Sequence, residues 1–373
     1  MVCLPNAAAA FCAVCRTAVT MTIAAAACLH PVALQAQSPV NRYVAVDYAR
    51  LDNPGATAVV RRINTASEVA GGYRADNRKG SKALLFLPNG VAEEILNDPG
   101  IDHSVIYGIN DLGEVVGSFN TEVAMLPFRS VRRIGFQPLS LPPGANGGLA
   151  YAINANGEAA GYASGVAGVQ AVWWTRTGAV QLLQQIGNVT TRALGLNDKG
   201  DIVGVSGDAT KAAVVWPAKS GIVNLGTLPG FTHSEAVSIN ERGDAVGFAT
   251  GVGQFPNRSR AVLWMAGGQA GQDLGALPGG TDSRARDVNA RGEVVGTSTS
   301  TDGNRAFIWT AATGMRDLNT LATVPGLVMT DALSINKNGD IVTVGHDVDP
   351  NEPAHEHAEH EEPRRIVVLH PLP

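Results

Sequence analysis

Cysteine is missing from everything beyond Cys28. All four cysteines (Cys3, Cys12, Cys15, Cys28) stand at the front of a 373-residue chain. If that stretch is removed, no disulfide can brace the remainder, and its stability has to come from packing. Charge is sparse too: charged residues make up 16%, with acids and bases interspersed and a net charge of −5. No basic stripe marks a nucleic-acid surface, so nucleic acid is not an expected partner. Beyond residue 36 no apolar run reaches the ~18 residues of a membrane-spanning helix, and no long helical pattern occurs. A Gly-rich phosphate loop, a catalytic Ser elbow and a CxxC pair are all absent from residues 37–373.

The first 36 residues are rich in Ala, and Arg16 is the one charged residue among them. A basic residue, an apolar run and small residues before "QSPVN" read as a secretory signal cleaved near Ala36. The expected product is secreted or periplasmic. The alternatives are a start at Met21, a lipid anchor on Cys28, or a buried apolar strand or helix.

What is abundant is glycine, with 43 residues, and one recurring phrase. "INDLGEVVG" at Ile109–Gly117 returns as "VNARGEVVG" at Val288–Gly296. Seven copies are led by Asn64, Asn110, Asn154, Asn197, Asn240, Asn289 and Asn336, spaced 46, 44, 43, 43, 49 and 47 residues apart. The phrase has hairpin chemistry. An apolar residue ends a strand, and Asn opens the turn by bonding nearby backbone. Three residues later six copies place Gly, where positive φ is cheap. An acid follows in every copy: Glu68, Glu114, Glu158, Asp201, Asp244, Glu293 and Asp340. The final Gly suits a close approach of another backbone.

Two further strands recur. One carries the aromatic, as in "AVWWT" (Ala171–Thr175), "AVVWP" (Ala213–Pro217), "AVLWM" (Ala261–Met265) and "AFIWT" (Ala306–Thr310), and it holds all five Trp. The other is clearest in "GIVNLGTLPG" (Gly221–Gly230), with "RYVAVDYARL" (Arg42–Leu51) as its first copy. About four short strands per period in the forties predict an all-β, seven-bladed β-propeller over residues 37–373, with a linear β-solenoid as the alternative. Framed from the "IN" strand, the last blade lacks one strand. Arg42–Leu51 is expected to supply it and close the ring. The expected state is a monomer.

The pattern resembles the HAF family of extracellular repeat proteins. The resemblance is best in "NLGTLPGFTHSEAVSINERGDAVGFA" (Asn224–Ala249), "DLGALPGGTDSRARDVNARGEVVGTS" (Asp273–Ser298) and "NRAFIWTAATGMRDLNTL" (Asn304–Leu321). It departs from the family where the His-Ala-Phe triplet reads Arg305-Ala306-Phe307, and where the first copy lacks its turn Gly. The resemblance implies an exported repeat protein, and it carries over no reaction and no catalytic residue.

Four sets of residues are candidates for chemistry. The Trp residues (Trp173, Trp174, Trp216, Trp264, Trp309) suit inter-blade core better than sugar platforms, although adjacent Trp173 and Trp174 must point opposite ways. The Asn and acid pairs suit turns better than calcium ligation. "HDVDPNEPAHEHAEHEEP" (346–363) gathers His346, His355, His357 and His360 with seven acids. It reads as a solvated loop, with capture of Zn, Cu or Ni as its functional alternative. Six residues before the Asn stand Ser104, Thr191, Ser234, Ser283 and Thr330, read as turn caps. Beside them lie the non-repeating His103, Arg192, His233, Asp282, Arg284 and Asp331, which a propeller would gather on one rim as a binding surface. The expected function is non-catalytic binding of a glycan or protein partner, without a resident cofactor. A carbohydrate hydrolase or lyase and a structural envelope component are the alternatives.

Overall fold

The structure is a computed structural model. It describes residues 42–348 and 365–373, apart from 51–56, 75–79, 97–100, 102, 133–134, 188–189, 253–254 and 269. The leader stretch, His355, His357 and His360 lie outside the described residues.

Each hairpin phrase folds as read. In the second copy the backbone N–H of Asn110 donates to Glu114 O (3.0 Å) and that of Gly113 to Asn110 O (3.0 Å). Gly113 sits at φ 74°, the left-handed region where a side chain is costly. Ser67 adopts the same conformation (φ 58°) in the copy without Gly, and its hydroxyl donates to Asp340 at 2.9 Å.

The hairpins organise twenty-eight strands into seven antiparallel four-stranded sheets, with two short 3-10 turns and no α-helix among the described residues. Blade 1 is Thr57–Ile63, Val69–Arg74, Lys82–Phe86 and Ala92–Glu94, running from the axis outward. Blades 2 to 6 repeat that order. Their inner strands are Ser104–Ile109, Ala145–Ile153, Thr191–Leu196, Phe231–Ile239 and Ser283–Val288. Blade 7 has three strands from the end of the chain (Leu327–Ile335, Ile341–Asp347, Arg365–Pro371) and takes its outermost from the front. Tyr43–Arg50 pairs there with Arg365–Pro371, Tyr43 opposite Pro371 and Val46 opposite Val368. The ring is therefore closed by strand exchange between the two ends, and the solenoid alternative is excluded.

The core has the form of seven wedges, one between each pair of adjacent blades. Ile106, Val115 and Phe128 of blade 2 pack against Ala70, Ala83 and Leu85 of blade 1. The closing wedge joins Val342, Ile366 and Val368 of blade 7 to Val60, Ile63 and Phe86 of blade 1. Trp174, Trp216 and Trp264 are among the largest fully buried side chains. Trp173 faces the other way, half-buried, with the Lys219 ammonium 4.6 Å from its ring centre.

Candidate functional site

The seven inner strands lie side by side around a central channel. Each runs from a rim, where the strand begins, to the face that carries the "IN" turns. Each also contains a β-bulge. The register against the second strand shifts between Val60 and Arg62 in blade 1, and at the equivalent place in every other blade. A bulge bends the strand and turns successive side chains toward one side. In blades 1 to 6 the residue two places before the Asn lines the channel cavity. Those three and five places before it meet between neighbouring blades, Tyr107 on Tyr151 and Arg286 on Asp331; the side chains at these positions differ from blade to blade.

On the turn face the Asn residues form a closed ring. Each side-chain Nδ2 donates to the backbone carbonyl of the Asn in the next blade: Asn64 to Asn110 (3.2 Å), Asn110 to Asn154 (2.9 Å), Asn154 to Asn197 (3.1 Å), Asn197 to Asn240 (3.0 Å), Asn240 to Asn289 (3.0 Å) and Asn289 to Asn336 (3.5 Å). Asn336 returns to Asn64 at 2.8 Å. The same amide donates to the acid of its own turn, for example Asn110 to Glu114 Oε2 at 2.8 Å. Its oxygen accepts two backbone N–H groups, those of Leu112 and Glu114. The acids also take cations from the next blade, Lys219 on Glu158 at 2.7 Å and Arg176 on Glu114 at 3.4 Å. Turn chemistry thus accounts for the Asn and acid repeats, and it doubles as the fastening between blades.

Just inside this ring the channel is crossed by charge. Arg62 of blade 1 pairs with Asp287 of blade 6 at 2.5 Å. Asp287 also accepts the hydroxyls of Ser238 and Ser334, each at 2.6 Å. One carboxylate therefore joins blades 5, 6, 7 and 1. The space around it is a cavity of about 170 Å³ lined by all seven blades. Over its mouth Lys337 reaches Asp111 at 3.0 Å and Asp198 at 3.6 Å. Burial raises the Asp111 carboxyl, but hydrogen bonds from the Thr65 backbone and Lys337 outweigh it, leaving the group below the usual carboxylate range. Those carboxylates hold the Lys337 ammonium above its ordinary range.

Above the Asp287 crossing, aromatic rings and guanidinium groups meet. Tyr107 and Tyr151 contact edge to face with centroids 5.2 Å apart, and Tyr162 follows at 6.0 Å from Tyr151. Arg61 lies over Tyr107 (5.0 Å), Arg192 over Tyr162 (5.6 Å) and Arg284 over Phe248 (4.6 Å). Arg286 pairs with Asp331 at 3.0 Å. Burial pushes the Asp331 carboxyl up, against the pull of Arg286, Arg284 and Arg61. Burial and the neighbouring Tyr162 and Tyr107 push Tyr151 to about 12, so its hydroxyl stays a proton donor.

The six rim candidates separate into two groups. Arg192, Arg284 and Asp331 belong to the channel. His103, His233 and Asp282 instead tie blades together. His103 Nδ1 accepts the backbone N–H of Ser81 (3.1 Å), His233 Nδ1 that of Lys211 (3.1 Å), and Asp282 Oδ1 that of Ser259 (2.8 Å). Each of these amides belongs to the preceding blade. The adjoining hydroxyls do the same and are not caps of their own turns. Ser104, Thr191, Ser234 and Ser283 accept from Ala83, Ala171, Ala213 and Ala261. Thr330 departs from the pattern, donating to Val344 O at 3.4 Å. His346 is the last residue but one of its strand, opposite Val328, and no group of metal-ligating side chains occurs among the described residues. Sequence reading missed Arg61, Tyr107, Tyr151, Tyr162 and Arg286. All but Tyr162 stand three places before the repeat Asn, two past the register of Arg192 and Arg284, and their signal was side-chain chemistry that does not repeat there.

No family model matches the chain, and no curated protein matches it in sequence. Solved structures do. YCF48 bound to D1 peptide has 13% identity and a TM-score of 0.54 over 89% of this chain and 98% of that one. Virginiamycin B lyase from Staphylococcus aureus, solved with quinupristin, has 11% identity and a TM-score of 0.52 over 88% and 100%. A puromycin-hydrolysing peptidase of Mycobacterium tuberculosis has 12% identity and a TM-score of 0.52 over 80% of this chain and 52% of that one. These similarities show the propeller fold.

Proposed function

We propose that this chain is an exported, non-catalytic binding protein of the HAF-repeat kind, which holds a glycan or protein partner at the rim end of its channel. One observation carries the reading. The repeating Asn and acid side chains are spent on fastening blades, whereas Arg61, Tyr107, Tyr151, Arg192 and Arg284, which break the repeat, gather as Tyr and Arg in contact around the channel. Propellers serve both enzymes and binding modules, so the fold does not choose between them. The choice rests on the site. His103, His233 and Asp282, the groups best suited to acid–base work, are occupied by backbone amides. The export assignment rests on the Ala-rich leader. A share of function for the tail, with His355, His357 and His360 capturing Zn, Cu or Ni, stands as a separate proposal.

The test is a thermal-shift screen of residues 37–373 against oligosaccharides, peptides and these metals. A ligand held only by the folded state adds about 2.7 kcal/mol at ~100 times its dissociation constant. A shift with a glycan or peptide, without turnover, supports the reading. Product release from any of them overturns the non-catalytic assignment.

A further inference from the structure

Building on that reading of the channel, we infer that its upper half is a site for a sugar acid. The carboxylate would sit among Arg61, Arg192 and Arg284, and the sugar ring against Tyr107, Tyr151 and Tyr162.

The first argument is charge. The whole chain carries a net −5, yet no carboxylate of the described residues lies within ion-pair distance of Arg61, Arg192 or Arg284. The acids nearby are already engaged: Asp331 by Arg286 at 3.0 Å, Glu235 by Lys211 at 3.2 Å, and Asp282 by the Ser259 backbone N–H at 2.8 Å and the Thr281 hydroxyl at 2.6 Å. Burial lowers Arg284 and repulsion from Arg286 adds to it, outweighing the pull of Glu235, Asp282 and Asp331. Folding stability alone disfavours such a cluster; an incoming anion relieves it.

The second argument is geometry. Contact with the faces of Tyr107, Tyr162 and Phe248 restrains each guanidinium. Arg284 spends its Nε on the Ser259 hydroxyl at 3.3 Å, which leaves its terminal N–H groups for a ligand. A held guanidinium edge matches the two oxygens of a carboxylate, which a mobile lysine does not. The three tyrosines adjoin, Tyr107 edge to face with Tyr151 and Tyr162 tilted against it, and a ring face left open among them suits the apolar face of a sugar ring.

The third argument is unmet hydrogen bonding. Arg286 Nε and Asp331 Oδ1 are buried and have no partner. A buried donor and acceptor left unpaired cost about 1–3 kcal/mol each. Both atoms are closed to solvent, so they mark a strained polar layer beneath the site and are not themselves its ligand contacts. Entry is from the rim, because Arg62 and Asp287 cross the channel on the other side. Arg61 is exposed, so solvent reaches this level.

The experiment is titration calorimetry of the intact protein with trigalacturonate, a neutral trisaccharide, a glutamate-rich peptide and inorganic phosphate. Trigalacturonate should bind, more weakly as salt rises, and the neutral sugar should not. Arg192→Gln and Arg61→Gln, with unchanged melting temperatures, should each weaken binding about tenfold or more, as expected for a lost charged hydrogen bond. Absence of binding by the folded wild type overturns the inference, as does binding that both variants retain. Preference for the peptide or for phosphate also overturns the sugar-acid assignment, while leaving a binding module in place. Cleavage of bound trigalacturonate does the reverse: the anion site stands and the non-catalytic reading falls.

Discussion

The side-chain amide of Asn336 donates to the backbone carbonyl of Asn64 at 2.8 Å, across 272 residues of chain. It is the last of seven equivalent bonds, and it closes the ring between blade 7 and blade 1. Each Asn side-chain oxygen also accepts the backbone N–H of the acid in its own turn. Asn197, 2% exposed, spends its side chain on Asp201, on the Asp201 backbone N–H and on Asn240 of the next blade. Asn197→Ala strands several buried polar atoms at once. It should cost about 2–4 kcal/mol, from losses of ~1–3 kcal/mol per orphaned group. Urea denaturation reads this directly, and a loss below about 1 kcal/mol would mean the ring contributes little.

Closure by the front strand is open to a similar test. Backbone N–H groups alternate sides along a strand, so one of Ala45 and Val46 must face Arg365–Pro371, opposite Leu369 and Val368. Replacing both with Pro removes that donor and exposes an unpaired strand edge. The variant should melt at a lower temperature and scatter light as it associates. An unchanged melting temperature would show that blade 7 holds without its fourth strand.

Glycine is required for two different reasons, which two substitutions separate. A Cβ at Gly247 would stand 1.9 Å from the Glu235 carbonyl oxygen, so Gly247→Ala must displace backbone. About 1–3 kcal/mol should be lost, the usual range for overpacking. Gly230 has φ 84°, and a Cβ there would meet nothing within 4 Å, so Gly230→Ala carries only the left-handed backbone cost of about 1 kcal/mol. Equal losses at the two sites would contradict the close-approach account.

Trp216 and Trp173 should respond oppositely to truncation. Trp216 is fully buried and donates Nε1 to Gln184 O at 2.8 Å, so Trp216→Ala should cost about 3–5 kcal/mol. Trp173 is half-buried under Lys219, and Trp173→Ala should cost about 1 kcal/mol, the scale of one exposed cation–π contact. Comparable losses would place the two rings in equivalent environments.

The Lys337–Asp111 pair sets a pH dependence on the turn face. Asp111 titrates below its ordinary value in the fold, so its stabilisation is present above the unfolded value and lost as pH falls through the folded one. Lys337 titrates above its ordinary value, so its share is present below the unfolded value and lost as pH rises through the folded one. Both groups are partly exposed, which limits the pair to about 1 kcal/mol or less. Lys337→Met should lower stability by that much at pH 7, with the deficit vanishing in acid. A deficit constant from pH 7 down to pH 2 would rule out this ion pair as its source.

Much of the architecture can be read from residues alone, because it is written in local chemistry. Asn, a Gly at positive φ and an acid specify the hairpin wherever they occur, and repetition says that one unit cannot bury its own faces. The spare strand at Arg42–Leu51 follows from counting. The alternate burial of Trp173 and Trp174 follows from strand geometry. The second role of Asn64 is not legible in this way, since its partner Asn110 lies 46 residues off and meets it only once blades stand side by side. His103 and Asp282 look like free functional groups in sequence and become fasteners for the same reason. Of the channel, the sequence pointed to Arg192, Arg284 and Asp331, and tertiary structure decided the rest. A bulge in each inner strand shifts which side chains face the axis, and ring closure then brings Arg61 of blade 1 close enough to act on both Tyr151 of blade 3 and Asp331 of blade 7. Repeats determine how the blades are made; the contacts across the axis depend on distances that no local pattern encodes.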